Sequence, residues 1–322
     1  MSIAKYIKEI GRGKEGAKNL SEVDAYWMMR ALLRGELSDL EIGAVVLAMR
    51  MKGESIDELA GFMQAAHEHI LPLAAACNGK PVVSIPTYNG ARKLPNLVPL
   101  LAMLLAREGV TVLVHGIETD PGRTTTFEVF SALGLPVAHS AAAVGSAWSL
   151  HEPVFIPLVA LSPPLARLLD VRRVVGVRNS GHTMVKMLNP LANTKTPCLR
   201  LVNYTHPEYA ESLGKFFTHF ESNVLLMRGT EGEAVADARR SQAIDWHSDG
   251  QRTTLVEAHA GVITTLPLLP RAIDAATTAA YIQSVLAGEH PVPLPIERQV
   301  EAVMQCVSVM ASRQEVNEVG YG

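Results

Sequence analysis

A short polar loop, SIPTYNGARKLPN at residues 84–96, has the residue types of an anion-binding turn. It lies between an apolar run and a helix-like run, and ligands of open parallel sheets collect in such loops, beyond the carboxyl ends of the strands. Asn89 and Gly90 permit a tight turn, and the amides that follow could face an anion at a helix start. The spacing matches neither a GxGxxG nor a GxxxxGKS/T fingerprint, so an ordinary turn with Arg92 and Lys93 in solvent is an equally good interpretation.

A second candidate segment is VHGIETDPGRTTTFEVFSALG at residues 114–134. A strand, a polar turn and threonines at the start of a helix could hold a phosphate, to which Arg123 would add a fixed charge. His115 beside Gly116 also fits an ordinary histidine at the end of a strand.

A third segment, DVRRVVGVRNSGHTMVKMLNP at residues 170–190, is rich in cations. Its first arginines cannot all share one helical face with the last, so they converge only if the chain turns at Gly176. A solvated face is the simpler interpretation of such a run. However, no acidic residue occurs between Val171 and Pro207, so the charge is distributed unevenly although the formal net charge is −3. The basic residues of that stretch are Arg172, Arg173, Arg178, Lys186, Lys195 and Arg200.

The fourth segment, MRGTEGEAVAD at residues 227–237, carries alternating acids after a predicted strand. Glu231 and Glu233 could bind a hard cation such as Mg²⁺, which takes oxygen ligands, or could be exposed loop charges. The sequence has no Ser/His/Asp order, nucleophile elbow or HExxH motif, which argues against the standard hydrolases.

The composition is that of a folded protein, with 322 residues of which 48% are hydrophobic. A pI of about 6.4 counts against the usual basic signature of a nucleic-acid-binding domain. Cys77, Cys198 and Cys306 lack zinc-site spacing and are interpreted as buried or incidental thiols. No apolar run approaches the ~20 residues that cross a bilayer, and the start lacks a secretory apolar region, so we expect a cytoplasmic protein with no membrane partner.

Residues 1–72 are predicted to form a small helical domain. Serines open three helix-like runs with an acidic residue three positions later, in SEVD at 21, SDLE at 38 and SIDE at 55. Each pattern is typical of a capping box.

Residues 73–322 are predicted to form a larger α/β domain, because buried strands there alternate with helices. Strands are predicted at 81–86, 110–116, 153–159, 198–204 and 223–229. Helices are predicted near 95–107, 124–134, 162–169, 180–188, 207–220, 273–287 and 297–312. This order predicts a mostly parallel sheet flanked by helices.

The four loops, in this order behind a helical start, resemble the anthranilate phosphoribosyltransferase superfamily, whose fold is also used by pyrimidine-nucleoside phosphorylases. The resemblance covers nearly the whole chain, and helices from about 162–190 are expected to join the small domain. In the family, a glycine-rich GTGGDG followed by NIST holds the pyrophosphate of phosphoribosyl pyrophosphate, where this chain has PTYNGARKLPN. The resemblance implies a vestigial phosphate and substrate pocket at Thr87, Tyr88, Asn89, Gly90, His115, Gly116, Thr124 and Arg172, the last at the position that faces anthranilate.

Two departures from the family pattern fall where its chemistry needs the original residues. The consecutive glycines are lost, and the adjacent Asp-Glu pair that binds Mg²⁺ becomes GTEGEAV, with Glu231 and Glu233 nearby. Phosphoribosyl transfer without both would forfeit much of its electrostatic stabilisation, so we expect the parent activity to be lost. The alternative is a Mg-dependent pentosyltransferase on an unidentified acceptor that uses His115, Arg172 and the two glutamates.

The substituted motifs GRGK, IPTYNGARK, RGTEGE, GVRNSGHT and THPEY resemble the YbiB-like branch of this superfamily. That resemblance implies a homodimer that binds DNA and RNA with little sequence preference, without a cofactor and without transferase activity. A groove lined by cations would supply the phosphate contacts. The candidates are Arg92, Lys93, Arg123, Arg172, Arg173, Arg178, Lys186, Arg12 and Lys14. The apolar run IGAVVLAMRM at 42–51 is expected to form the dimer contact, and Tyr88 is the candidate for base stacking.

Overall fold

The computed structural model describes residues 3–13, 15–220, 222–261, 263 and 266–319. The chain divides into two compact units, Met1–Leu71 with Leu158–Pro190 and Pro72–Pro157 with Leu191–Gly322. No helix in the described part combines the length and the apolar character that a bilayer crossing requires.

Helices of the described ranges are, in chain order, α1 (Ala4–Ile10), α2 (Glu22–Leu33), α3 (Asp39–Lys52), α4 (Ile56–His67), α5 (Val98–Arg107), α6 (Thr126–Leu133), α7 (Ala141–Ser149), α8 (Leu158–Leu161), α9 (Pro163–Val175), α10 (Ser180–Met187), α11 (Pro207–His219), α12 (Ala275–Leu286) and α13 (Leu294–Val319). The strands are β1 (Val82–Thr87), β2 (Thr111–Gly116), β3 (Val154–Pro157), β4 (Cys198–Tyr204), β5 (Asn223–Arg228), β6 (Ile244–Ser248) and β7 (Gln251–Val256).

The first unit contains α1–α4 and α8–α10. The SDLE and SIDE motifs form complete capping boxes at the starts of α3 and α4. At α2 the side chain of Ser21 accepts the N–H of Asp24, but the reciprocal half of the box is not formed among the described residues. An aspartate is one methylene shorter than a glutamate, which explains why its carboxylate stays beside the Ser21 hydroxyl instead of reaching the backbone.

Glu58 connects three parts of the first unit through one buried carboxylate. It accepts the Lys52 ammonium at 2.6 Å, the Leu20 N–H at 2.9 Å and the Ser55 N–H at 2.8 Å. Both members of the ion pair are buried, so the carboxylate is satisfied by charge and by backbone donors together.

The second unit contains a seven-stranded sheet in the order β3-β2-β1-β4-β5-β6-β7. Strands β1 to β5 pair in parallel, whereas β6 and β7 add antiparallel to one edge. The predicted fold class, a small helical domain plus a larger mostly parallel sheet with flanking helices, is therefore confirmed.

The β6–β7 hairpin and α7 are absent from the sequence prediction. The hairpin turn is Asp249-Gly250, with φ of 53° and 70°. An Asp-Gly pair between two β-rich runs is a strong hairpin signal, so IDWHS-DG-QRTTLV could have been recognised. The predicted third strand is also too long at its end, because residues from Leu158 onward turn into α8.

The main core of the second unit lies on one face of the sheet. Val83 and Ile85 of β1 and Val112 and Val114 of β2 point into it, and they pack with side chains of α5, α6, α12 and α13. Because side chains alternate along a strand, Ser84 and His115 lie on the opposite face.

Candidate functional site

Three loops of the second unit are bonded together at the carboxyl edge of the sheet. They follow β1, β2 and β5. The Ala91 N–H donates to the Thr124 carbonyl and the Thr124 N–H donates to the Ala91 carbonyl, both at 2.8 Å. Gly116 permits the close approach of β1 and β2, because a Cβ there would lie 1.4 Å from the Thr87 carbonyl oxygen.

The Glu231 carboxylate occupies a nest of three backbone amides in the loop after β1. It accepts the N–H groups of Arg92 at 2.7 Å, Lys93 at 2.9 Å and Leu94 at 3.2 Å. Successive amides that converge on one point form an anion-binding concavity. Sequence analysis expected amides facing an anion here, and the anion is the chain's own side chain.

Glu231 reaches this position from an unusual backbone conformation. Its φ is +54°, in the left-handed region that non-glycine residues seldom adopt. Gly232 follows with φ +91°, and a Cβ there would lie 2.5 Å from the Asn89 amide nitrogen. The Asn89 side chain donates to the Glu231 carbonyl, so it also ties the loop after β1 to the main chain of the loop after β5.

Glu233 holds the start of the same loop, at Asn89 and Gly90, from the interior of the unit. Its side chain is buried, and Oε1 accepts the N–H groups of Asn89, at 2.8 Å, and of Gly90. Oε2 is buried as well. Burial raises the pKa of Glu233 to about 7, opposed by the Thr87 hydroxyl, the Gly90 and Asn89 amides and Arg123, which favour its charged form.

These contacts leave Glu231 and Glu233 poorly placed for their predicted role as magnesium ligands. Backbone N–H groups already point at the carboxylate oxygens, and donors are the wrong neighbours for a cation. Within the described residues no group of three or more His, Cys, Asp or Glu side chains could hold a metal ion. The residues present therefore do not fit a magnesium centre.

The predicted cations of these loops differ in their surroundings. Arg92 and Lys93 are exposed at the loop tip. Arg123 is partly buried, donates to the Gly90 carbonyl at 3.2 Å and lies 3.8 Å from the Asp120 carboxylate. Arg123 therefore supports the loop. Of the three predicted cations in these loops, Arg92 and Lys93 are the two whose exposed side chains could contact a large anion.

The buried side chains of the predicted pocket are held inside the unit. The Thr87 and Thr126 hydroxyls are hydrogen-bonded to each other. Tyr88 is 4% exposed, so its ring is buried and does not present a face for the predicted base stacking. His115 is fully buried, neither ring nitrogen has a partner among the described residues, and burial lowers its pKa to about 3. His115 is thus a neutral interior histidine.

The first unit gathers a second basic group around His182. Gly176, with φ +78°, ends α9 and turns the chain as the sequence required. Burial, together with the nearby charges of Arg178, Arg172 and Lys186, lowers the pKa of His182 to about 3. Lys186 is 9% exposed, and burial together with Arg178 lowers its pKa to about 8, opposed by Glu54.

His182 itself is absent from the predicted site. Its Nδ1 accepts the Asn179 N–H at 3.3 Å, so it takes the third position of a capping box at the start of α10. Only a glutamate or glutamine at that position is a recognised signature, which is why the pattern was not identified.

Two other predicted cations of the first unit pair with carboxylates instead. Arg173 is exposed and pairs with Asp170 at 3.1 Å, an acid that lies one residue before the acid-free stretch. Arg12 pairs with Glu9 at 2.6 Å. Lys14 lies outside the described residues.

Comparison with known proteins places the chain in a family. Residues 4–70 match the helical bundle domain of the glycosyl transferase family. The uncharacterized protein YbiB of Escherichia coli (strain K12) is 41% identical over 304 residues, which cover 93% of this chain and 92% of YbiB. This chain is a YbiB-like member of the anthranilate phosphoribosyltransferase superfamily. The anthranilate phosphoribosyltransferase of Leifsonia xyli is more distant, with 26% identity over 84% of this chain and 77% of the enzyme.

Solved structures agree with this YbiB-like fold. Anthranilate phosphoribosyltransferase from Thermus thermophilus superposes with a TM-score of 0.65 at 22% identity, covering 91% of this chain and 85% of that one. The Saccharomyces cerevisiae enzyme in complex with PRPP and Mg gives a TM-score of 0.69 at 14% identity, covering 95% and 88%. At these identities the likeness concerns the fold alone.

Proposed function

We propose that this YbiB-like protein binds nucleic-acid phosphates without sequence preference, on a scaffold that no longer transfers phosphoribose. The observation that carries the proposal is the occupation of the loop amides by Glu231 and Glu233 while Arg92 and Lys93 remain exposed beside them. The loop after β1 thereby presents positively charged side chains at its tip, while its backbone amides are occupied by carboxylates of the loop after β5.

This arrangement disfavours a diphosphate–magnesium substrate. A diphosphate entering the nest would meet the Glu231 carboxylate, and both glutamates are bonded to N–H donors that a metal would have to replace. The electrostatic clamp on which phosphoryl and phosphoribosyl chemistry depends is therefore missing its metal-binding half. Because relatives are named anthranilate phosphoribosyltransferase and one is described with PRPP and Mg, a Mg-dependent pentosyltransferase is the second candidate.

Two basic groups support the binding of a polyanion. The second unit presents Arg92 and Lys93, and the first unit gathers Arg172, Arg178 and Lys186 around the neutral His182. The cost of holding Lys186 buried near Arg178 is offset when an anion neutralises them. Contacts to phosphates of this kind carry no sequence information.

A second copy of the chain is the proposed partner of an apolar stripe on α3. Leu40, Leu47 and Met51 are 85%, 45% and 69% exposed, and their spacing places them on one helical face. A homodimer would cover this face and double the number of phosphate contacts.

The test is fluorescence anisotropy of a labelled single-stranded oligonucleotide with the double variant Arg92→Glu, Lys93→Glu. The matched control is Lys80→Glu, Lys195→Glu, which makes the same charge change on exposed residues near the amino ends of β1 and β4. Loss of two contacts should reduce the slope of log Kobs against log salt by about 1.4, at ~0.7 per phosphate for single strands. Equal effects of the two double variants would remove the loop from the binding surface.

Calorimetric titration of the wild type with phosphoribosyl pyrophosphate and Mg²⁺ separates the second candidate. The proposal expects no binding that depends on Mg²⁺ and no turnover. Saturable binding that requires Mg²⁺, followed by turnover with an acceptor base, would favour the transferase.

A further inference from the structure

We propose that Glu231 is a built-in competitor for an oxyanion site formed by the amides of Arg92, Lys93 and Leu94, and that a phosphate group takes its place on ligand binding. The site is then gated by the protein's own carboxylate. This inference rests on the proposed function only where the phosphate belongs to nucleic acid.

The geometry of the nest carries the inference. Three consecutive N–H groups converge on one carboxylate at 2.7 to 3.2 Å, and Lys93 also donates to the second oxygen at 3.1 Å. A phosphate also presents negatively charged oxygens at a similar spacing, so an exchange would preserve every amide hydrogen bond.

The resident carboxylate is accessible to exchange. Glu231 is only partly buried, and its contacts with the Arg92 and Lys93 amides lie at the surface. By contrast, Glu233 is 1% exposed and holds the Asn89 and Gly90 amides in the interior. One glutamate can therefore leave while the other keeps the loop in place.

Two features of the chain favour movement of the Glu231 carboxylate out of the nest: backbone strain at Glu231 and a cation nearby. Glu231 holds its position with a left-handed φ of +54°, and a residue in that region stores backbone strain that movement can release. Arg239 is within electrostatic range of Glu231, its side chain is 40% exposed, and its guanidinium already pairs with Asp237 at 2.9 Å. A released carboxylate thus has a cationic neighbour in solvent.

The expected change in phosphate affinity follows from competition between the Glu231 carboxylate and the phosphate for the same amides. The apparent dissociation constant for a phosphate equals the intrinsic constant divided by the fraction of molecules with an open nest. If Glu231 fills the nest in nine molecules of ten or more, its removal should tighten binding about tenfold or more.

The experiment compares wild type with Glu231→Gln and Glu231→Gly in calorimetric titrations with inorganic pyrophosphate and in anisotropy titrations with a labelled oligonucleotide. Glu231→Gly retains the left-handed backbone without strain, so it keeps the test valid if the glutamine variant folds poorly. Glu289→Gln is the control, because it removes one exposed negative charge of the second unit away from these loops.

Tighter binding of pyrophosphate by both Glu231 variants, at least tenfold and absent in the control, would support the gate for free phosphate compounds. Tighter binding of the oligonucleotide would support it for the nucleic-acid backbone. If neither ligand binds the Glu231 variants more tightly than it binds Glu289→Gln, the gate is refuted. A wild type that ignores oligonucleotides beside Glu231 variants that bind pyrophosphate would refute the proposed function and leave the gate standing.

Discussion

The buried carboxyl of Glu233 predicts an unusual dependence of stability on pH. Its pKa is about 7 in the folded protein against an ordinary value of 4.5, because burial disfavours the charged form. At 1.36 kcal/mol for each tenfold change in proton affinity, the difference corresponds to about 3 kcal/mol.

The direction follows from proton binding in the two states. The folded state holds the proton more tightly than the unfolded state, so the stabilisation is fully present below pH 4.5. It is lost as the pH rises through about 7, and above that pH the ionised carboxylate costs the fold about 3 kcal/mol relative to a neutral group.

Glu233→Gln removes the titration while keeping an oxygen that can accept the N–H groups of Asn89 and Gly90. We expect the variant to be up to about 3 kcal/mol more stable than wild type at pH 8 and close to wild type at pH 4.5. Urea unfolding, followed by tryptophan fluorescence between pH 4.5 and 8.5, measures the free energy of unfolding of wild type and variant at each pH.

The difference in stability between wild type and Glu233→Gln isolates the titration of Glu233 from that of other groups. His115 and His182 have pKa values of about 3, so each stabilises the fold above pH 6.5 and loses that contribution as the pH falls, in wild type and variant alike. Stability curves for wild type and Glu233→Gln that run parallel over the whole pH range would refute the reasoning.

Three further substitutions test the packing that positions the loops and helices. Gly116→Ala should destabilise the second unit by more than about 3 kcal/mol or prevent folding, since its Cβ would overlap the Thr87 carbonyl. Gly109→Ala, at φ +81° in open space, should cost only about 1 kcal/mol, and equal melting temperatures of the two variants would contradict this account. Glu58→Ala should cost about 3 kcal/mol or more by leaving the Lys52 ammonium buried without its carboxylate, and a loss below about 1 kcal/mol in urea unfolding would disprove that role.

The parts of the fold that sequence predicts are those encoded locally. Ser38 with Glu41 and Ser55 with Glu58 each form a capping box within one turn, so three or four residues suffice to identify it. The parallel strands follow from short apolar runs that alternate with helices. The β6–β7 hairpin has a local signal too, in Asp249-Gly250, but its polar second strand does not look like a buried one.

The candidate site is encoded by contacts far apart along the chain. Glu231 lies 139 residues from Arg92 in sequence, so no local pattern reveals that its carboxylate fills the loop amides. Two glutamates after a strand suggest a metal site. Only the direction of the surrounding N–H groups distinguishes a metal-binding glutamate from one whose carboxylate fills the amides of a neighbouring loop. The basic run from Arg172 is ambiguous for a related reason, because pairing with Asp170 removes Arg173 from the group while a turn at Gly176 retains Arg178.

The most direct test of the proposed function is the salt dependence of oligonucleotide binding by the wild-type protein. Anisotropy of a labelled single strand, titrated across a salt series, should show tight binding at low salt that weakens steeply, with several phosphates neutralised at a slope of ~0.7 each. A flat, millimolar response at low salt would contradict the account.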